Sequence, residues 1–541
     1  MRYFLPVIFI LLIQSCAYQD NVVDTIVHNA RIYTVDGSFS VVEAMAIDSG
    51  RIVQTGSERE ILNKFQADEM FDAKGQAIYP GFIDSHCHFT GYGLTRQEVD
   101  LRGTHSWEDC IMRMQTEAST KTGPWLEGRG WDQNDWPIKK FPVHELLSAA
   151  FPDRPVILYR VDGHALIANQ KAMELAGLSE AVRVSGGQIV VDDSGALTGM
   201  FIDNAVVKIT SFIPEPDEEQ IKSALRAAEA DCFAVGLTTV DDAGLDTTVI
   251  GLIDRMQDAG ELKMRIYAML EASDAGKEYM KRGIVSKDRL TVRSIKLYGD
   301  GALGSRGAAL KHDYHDAEGQ KGRLFSPPVY YKQWAALCKL YGFQMNVHCI
   351  GDRANEIILA VFKDQLKGNN DLRWRIEHAQ LISGKDMDEF GRFNILPSIQ
   401  PTHATSDMDW VHERIGMERL KGAYAFASLM RQNGMALLGT DFPVEEIDPL
   451  LTFYAAVFRK SPDGEPAEGW RMSEALTREE ALRGMTIWGA MGNFEESQKG
   501  SLEAGKKADF VVLDRDIMTA AESEVLKSKV EATFVGGEKV Y

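Results

Sequence analysis

Positive charge is in short supply. The chain carries 59 Lys and Arg against 79 Asp and Glu, a formal net charge of -20. Binding to phosphate backbones needs a basic surface, so this balance argues against nucleic acid as a partner. Cysteine is scarce as well, with six in 541 residues. One is Cys16; the other five have no framework spacing, so no essential disulfide is expected. Two of them, Cys87 and Cys349, each neighbour a histidine near a strand end, where alternation points them to the opposite face as packing residues. Past the N-terminus there is no apolar run long enough to span a bilayer. No Gly-x-Gly-x-x-Gly follows an early strand, which counts against dinucleotide binding.

What is present begins with an unusual leader. Met1-Arg2 is followed by an almost wholly apolar stretch from Tyr3 to Ile13, then Gln14-Ser15-Cys16. That run is too short for a stable span and has the basic start and apolar centre of a signal peptide. Ile13-Gln14-Ser15-Cys16 resembles a bacterial lipobox. The resemblance implies cleavage before Cys16, lipidation of that cysteine and export to the periplasmic side of the cell envelope, at the inner or outer membrane. An ordinary signal peptide cut nearby, or an uncleaved anchor, are the alternatives.

Hydrophobic residues make up 45% of the chain, enough for a large core and two to four domains. After a tether over 16–24, short alternating segments lie between Asp24 and Tyr79, with a hairpin around Ser49-Gly50. The same style returns after 497, in Ala508–Asp514 and Val530–Tyr541. The two ends are therefore expected to meet in one small β-sandwich, 25–79 with 497–541. Between them, over 80–496, strand, turn and helix alternate. Strand candidates include Val156–Arg160, Met264–Met269, Ser294–Tyr298, Gln344–His348, Arg373–His378, Ile395–Gln400 and Met435–Thr440. Helices are expected at Glu218–Val235 and Pro328–Tyr341. This pattern predicts an α/β protein with a distorted (β/α)8 TIM barrel; an open doubly wound sheet is the alternative. Residues 90–230 hold more than one strand–helix unit needs, so an inserted subdomain is expected within them.

Reactive groups of such a barrel sit at the C-terminal ends of its strands. Phe82-Ile83-Asp84-Ser85-His86-Cys87-His88 ends a first strand with two histidines on one face, a geometry that chelates a divalent metal. Lys296 lies in Ser294–Tyr298. His348 and His378 end two later strands, and Asp441 follows another. Four histidines and one aspartate at matching strand ends point to a metal site. His105, His144, His312, His315 and His412 fall in loop or helix contexts and are read as non-catalytic.

These residues sit in motifs that identify a family. The stretches are Pro80–His88, Gly130-Trp131-Asp132-Gln133-Asn134, Val161-Asp162-Gly163-His164-Ala165, Lys296–Arg306, Val347–Asp352, Glu377-His378, Gln400–His403, Gly439–Pro443 and Gly505–Leu513. Together they resemble the amidohydrolase superfamily, in its family 3 branch around YtcJ-like and N-substituted formamide deformylase-like hydrolases. The resemblance covers the chain after the signal. It implies His86 and His88 on a more buried metal and His348 and His378 on a second. It also implies two Zn2+ bridged by a carbamylated Lys296, because a plain ammonium has no lone pair to offer. The alternative for Lys296 is a salt bridge to Asp300 or a substrate contact, with one metal. Asp441 would take a proton from water activated by the metal. His164 and His403 are either carbonyl-polarising groups or structural histidines of the barrel mouth. Arg306, Asp352, Trp131 and Asp132 are expected along the pocket. One departure stands out: the family often has a histidine after Leu237–Val240, where this chain has Asp241-Asp242.

The expected activity is hydrolysis of a C–N bond in a small amide, formamide or cyclic amide by an exported, lipid-anchored protein. A lactonase or phosphotriesterase-type hydrolase is the enzymatic alternative, and a non-catalytic surface lipoprotein the other. A homodimer stays open.

Overall fold

The computed structural model describes residues 21–121, 123–133, 136–160, 165–184, 187–368 and 370–541. Cys16 with its leader, and His164, lie outside the described residues.

Eight parallel strands form the central sheet. They are β1 (Phe82–Cys87), β2 (Leu237–Leu245), β3 (Arg265–Glu271), β4 (Leu290–Tyr298), β5 (Gln344–His348), β6 (Arg375–Glu377), β7 (Leu396–Ile399) and β8 (Leu437–Leu438). Each pairs with its sequence neighbour, in the order β8-β7-β6-β5-β4-β3-β2-β1. The strands are buried nearly throughout, as expected where both faces of a parallel sheet are covered. The ends of this sheet meet beyond β8. There Asp441 N–H donates to His86 O at 2.8 Å, and Thr440 N–H and Oγ1 donate to the Asp84 carboxylate. The sheet is thus a nearly closed barrel of the TIM type, not the open alternative.

The connecting helices carry local start and stop signals. Glu218–Ala234 begins with a capping box, in which the Asp217 side chain accepts from Gln220 N and the Gln220 side chain accepts from Asp217 N. Pro328–Tyr341 starts with proline and stops at Gly342, whose φ of 74° suits glycine. No helix among the described residues is long and apolar enough to cross a membrane.

Two further sheets pack face to face at the termini. One joins Arg51–Gly56, Ala44–Asp48, Asn21–His28 and Phe65–Asp72; the hairpin at Ser49-Gly50 links its first two strands. The other joins strands of both ends, Ala77–Pro80 pairing antiparallel with Phe510–Leu513. Val27, Met45 and Ile47 of the first sheet meet Ile32, Ile78, Phe510 and Phe534 of the second in one core. Arg265 at the start of β3 ties this unit to the barrel through Asp509, at 2.6 and 2.9 Å.

Between β1 and β2 a separate six-stranded sheet runs Gly187–Val191, Leu197–Asp203, Ala165–Ala168, Val156–Arg160, Leu126–Trp131, Val99–Asp100. The apolar run Val156–Arg160 is therefore a strand outside the barrel, because its partners are Leu126–Trp131 and Ala165–Ala168. A short buried run cannot announce which sheet it joins.

Candidate metal centre

The histidines of the sequence motif converge at one mouth of the barrel. His86 is fully buried at the end of β1. Its Nδ1 lies 2.7 Å from Glu377 Oε2, and its Nε2 lies 3.0 Å from Lys296 Nζ and 3.7 Å from Asp441 Oδ1. A carboxylate only accepts, so Nδ1 carries the proton and Nε2 keeps its lone pair. His88 repeats this logic: Nδ1 lies 3.2 Å from Ala243 O, which leaves Nε2 with a lone pair 3.4 Å from Asp441 Oδ1. Two lone-pair atoms facing each other repel unless a cation sits between them.

Across the mouth, the His378 ring lies 4.9 Å from that of His86, 4.5 Å from that of His348 and 5.7 Å from that of His403. His378 and Asp441 both adopt positive φ, 69° and 64°. Such backbone conformations cost energy and concentrate where geometry is demanded. Four buried polar atoms here have no hydrogen-bond partner: His348 Nε2, His378 Nδ1, Asp441 Oδ1 and Glu377 Oε1. Buried polar atoms are almost always satisfied, so orphaned lone pairs on two proposed ligands, His348 and His378, and on Asp441 fit a cation. Two donor sets share Asp441, namely His86, His88, Asp441 and His378, His403, Asp441, with ligand atoms within 4.8 Å of one another.

The electrostatics keep His88, His348 and His378 neutral. Burial and the nearby Lys296 ammonium push His88 down to about 4 and His348 down to about 3. Burial and the neighbouring His348 push His378 well below the usual range. Neutral rings retain the lone pairs a metal needs. His403 is the exception. Burial opposes its charge, but hydrogen bonds to Asp441 and Glu445 raise it to about 10. Asp441 is held far below the usual carboxylate range: burial works against this and is outweighed by the His403 hydrogen bond and the other histidines.

Lys296 is buried on β4, and burial lowers its pKa against the pull of Glu377 and Asp441. It makes no salt bridge to Asp300, whose carboxylate instead accepts from Ala309, Ile350 and Gly351 N–H at 2.7 to 3.0 Å. The half-exposed Tyr298 closes β4, its ring 5.7 Å from that of His348.

The expected pocket residues fare differently. Trp131 is fully buried, its indole donating to Leu158 O and stacking on Trp136, so it is core of the inserted sheet and not pocket wall. Asp352 is also buried; it opens the helix Asp352–Leu366 and accepts from Lys311 N–H at 2.9 Å, a structural tie. Arg306 pairs with Asp316 at 2.7 Å and Asp132 with Arg160 at 2.6 Å. His403 stands beside Asp441, at 3.2 Å. The departure at Asp241-Asp242 has a structural use. Asp241 pairs with the buried Arg375, and Asp242 accepts from Thr90 N and Oγ1, just after His88.

Sequence reasoning gave no role to Glu377, quoted only as part of Glu377-His378, and passed over Glu445; these are the carboxylates behind His86 and His403. The only signal was position: Glu377 immediately precedes His378, and Glu445 follows Asp441 by four residues.

A barrel with histidines and an aspartate gathered at its strand ends is the architecture of a metal-dependent hydrolase. Residues 69–541 match the amidohydrolase family, and the chain belongs to it. YtcJ of Bacillus subtilis (strain 168) is 31% identical over 95% of this chain and 98% of its own. The N-substituted formamide deformylase of Arthrobacter pascens is 26% identical over 95% and 97%. The crystal structure of an uncharacterized metal-dependent hydrolase from Pyrococcus horikoshii OT3 has a TM-score of 0.77 at 27% identity, covering 92% of this chain and 99% of that one.

Proposed function

We propose that this protein is an exported metal-dependent amidohydrolase that cleaves the C–N bond of a small amide, formamide or cyclic amide. The observation that carries the reading is Asp441. One carboxylate oxygen is fixed by His403, and the other is free of hydrogen bonds and faces His86 and His88. Similarity to an N-substituted formamide deformylase supports the choice of bond.

His86, His88, His348, His378 and Lys296 would hold divalent cations, two zinc ions in the full set. When bound, such a cation lowers the pKa of water to about 7 and polarises a carbonyl. Asp441 Oδ1 then accepts the proton of the attacking water and returns it to the leaving nitrogen, which departs as an amine. The His403 hydrogen bond to Oδ2 keeps Oδ1 turned toward that water. Lys296 becomes a ligand only after its amine adds CO2, and burial favours the neutral amine that this addition needs. The leader ending in Cys16 supports export with a lipid anchor.

The test is a panel of formamides, N-acyl amino acids, hydantoins and lactones assayed with zinc-loaded protein. Turnover of an amide is expected, and Asp441→Asn should keep its metal while losing about 100- to 10,000-fold in kcat. Turnover of lactones without any amide would overturn the C–N reading.

A further inference from the structure

A line of hydrogen bonds runs outward from Asp441 and ends on Glu445. His403 Nε2 lies 3.2 Å from Asp441 Oδ2, and His403 Nδ1 lies 2.9 Å from Glu445 Oε1. Glu445 Oε2 accepts in turn from Ser406 Oγ at 3.1 Å. Carboxylate oxygens only accept, so both ring nitrogens of His403 carry N–H groups in this arrangement. A ring nitrogen that donates to a carboxylate has no lone pair left for a metal.

The contrast with its neighbours is direct. His348 Nε2 and His378 Nδ1 are buried without hydrogen-bond partners, and His86 and His88 each turn a lone pair toward Asp441 Oδ1. His403 also lies within reach of a donor set with His378 and Asp441, so proximity alone would count it as a ligand. Its outer partner decides otherwise. The same carboxylate–histidine pairing occurs at Glu377–His86, but there the inner nitrogen faces a lysine amine and not a carboxylate at hydrogen-bond distance.

We propose that Glu445 is a positioning residue which holds His403 as a two-sided hydrogen-bond donor, so that His403 orients Asp441 and stays out of the metal's ligand set. Glu445 touches neither the reacting atoms nor the metal; it acts through His403. The loss expected on removing such an outer partner is about 10- to 100-fold.

Because its catalytic arm rests on the hydrolase reading above, the experiment has arms that do not. In protein labelled with 15N-histidine, His403 should give two downfield imidazole N–H proton resonances, both absent in His403→Asn; the Nδ1–H resonance should disappear in Glu445→Ala and persist in Glu445→Gln, whose amide oxygen still accepts. Metal per chain, measured by elemental analysis, should be unchanged in Glu445→Ala and Glu445→Gln. With whichever substrate the panel identifies, Glu445→Ala should lower kcat about 10- to 100-fold with KM held within about twofold, and Glu445→Gln should recover part of the loss. Glu446→Gln, on the exposed neighbour, serves as the control at wild-type activity. An Nδ1–H resonance that survives Glu445→Ala, a loss of metal in that variant, or an unchanged kcat would overturn the proposal. Absence of any amide turnover by the wild type would refute the hydrolase reading while leaving the resonance and metal arms to decide the role of Glu445.

Discussion

Asp241→Ala would strand a guanidinium inside the barrel, and the cost follows from the contacts. Arg375 on β6 is fully buried. Its Nη1 donates to Asp241 Oδ2 at 2.8 Å and to Ser85 O at 3.1 Å, and its Nη2 donates to Asn493 Oδ1. Unit charges about 4 Å apart attract by about 4 kcal/mol at an effective dielectric of about 20. Removing one partner of a buried pair costs about 3–5 kcal/mol, since the other charge is left without compensation. The single variant should therefore lose about that much in urea unfolding followed by tryptophan fluorescence. Asp241→Ala combined with Arg375→Met should lose much less than the sum of the singles, because a buried pair replaced by apolar groups is often near neutral. The double-mutant cycle should give a coupling near the top of the usual range of about 0.5–3 kcal/mol. The effect should also reach the metal centre: Ser85, whose carbonyl Arg375 holds, precedes His86, so Asp241→Ala should retain less zinc on dialysis. A coupling below about 0.5 kcal/mol would refute the reasoning, because the ion pair would then be an accident of proximity.

Acidification tests the tie between the terminal sheets and the barrel. Burial alone would raise the Asp509 pKa, but the Arg265 guanidinium and Gly536 N–H hold it below the ordinary value. A depressed carboxylate contributes stability that is complete above its unfolded pKa of about 3.9 and is lost as pH falls through the lower folded value. Asp509→Asn should thus weaken the protein at pH 7 and flatten the loss as pH falls below about 4, read by urea titration at each pH. Gly439→Ala would place a methyl group 2.6 Å from His86 N where β8 meets β1; a cost of about 1–3 kcal/mol and reduced zinc retention are expected. Lys296→Ala should bind less zinc, and wild-type protein incubated with 13C-bicarbonate should show a carbamate carbon signal that the variant lacks. Cys16→Ser should release the protein from the membrane fraction or leave its precursor uncut, checked by fractionation and mobility; unchanged behaviour would refute the lipid anchor.

Much of this molecule could be read from local pattern. Alternation along Phe82–His88 sets His86 and His88 on one side of a strand end, and the helix expected at Glu218–Val235 is found at Glu218–Ala234. The repeated strand-helix order led to a parallel barrel, and the motifs led to the amidohydrolase family, because each depends only on residues near one another in sequence. Partnership across the barrel is different in kind. Glu377 behind His86, Glu445 behind His403, and Arg375 on Asp241 are pairs brought together by closure of the sheet, and no spacing in the chain records them. The same holds for sheet membership and burial: Val156–Arg160 reads as one more apolar strand, and Trp131 as an aromatic of a pocket motif, until the inserted sheet claims both for its own core. The sequence alone determined which side chains could bind a cation and at which strand ends they stand. Only the tertiary structure decided which lone pairs face inward and which are spent on hydrogen bonds, because that depends on groups hundreds of residues away.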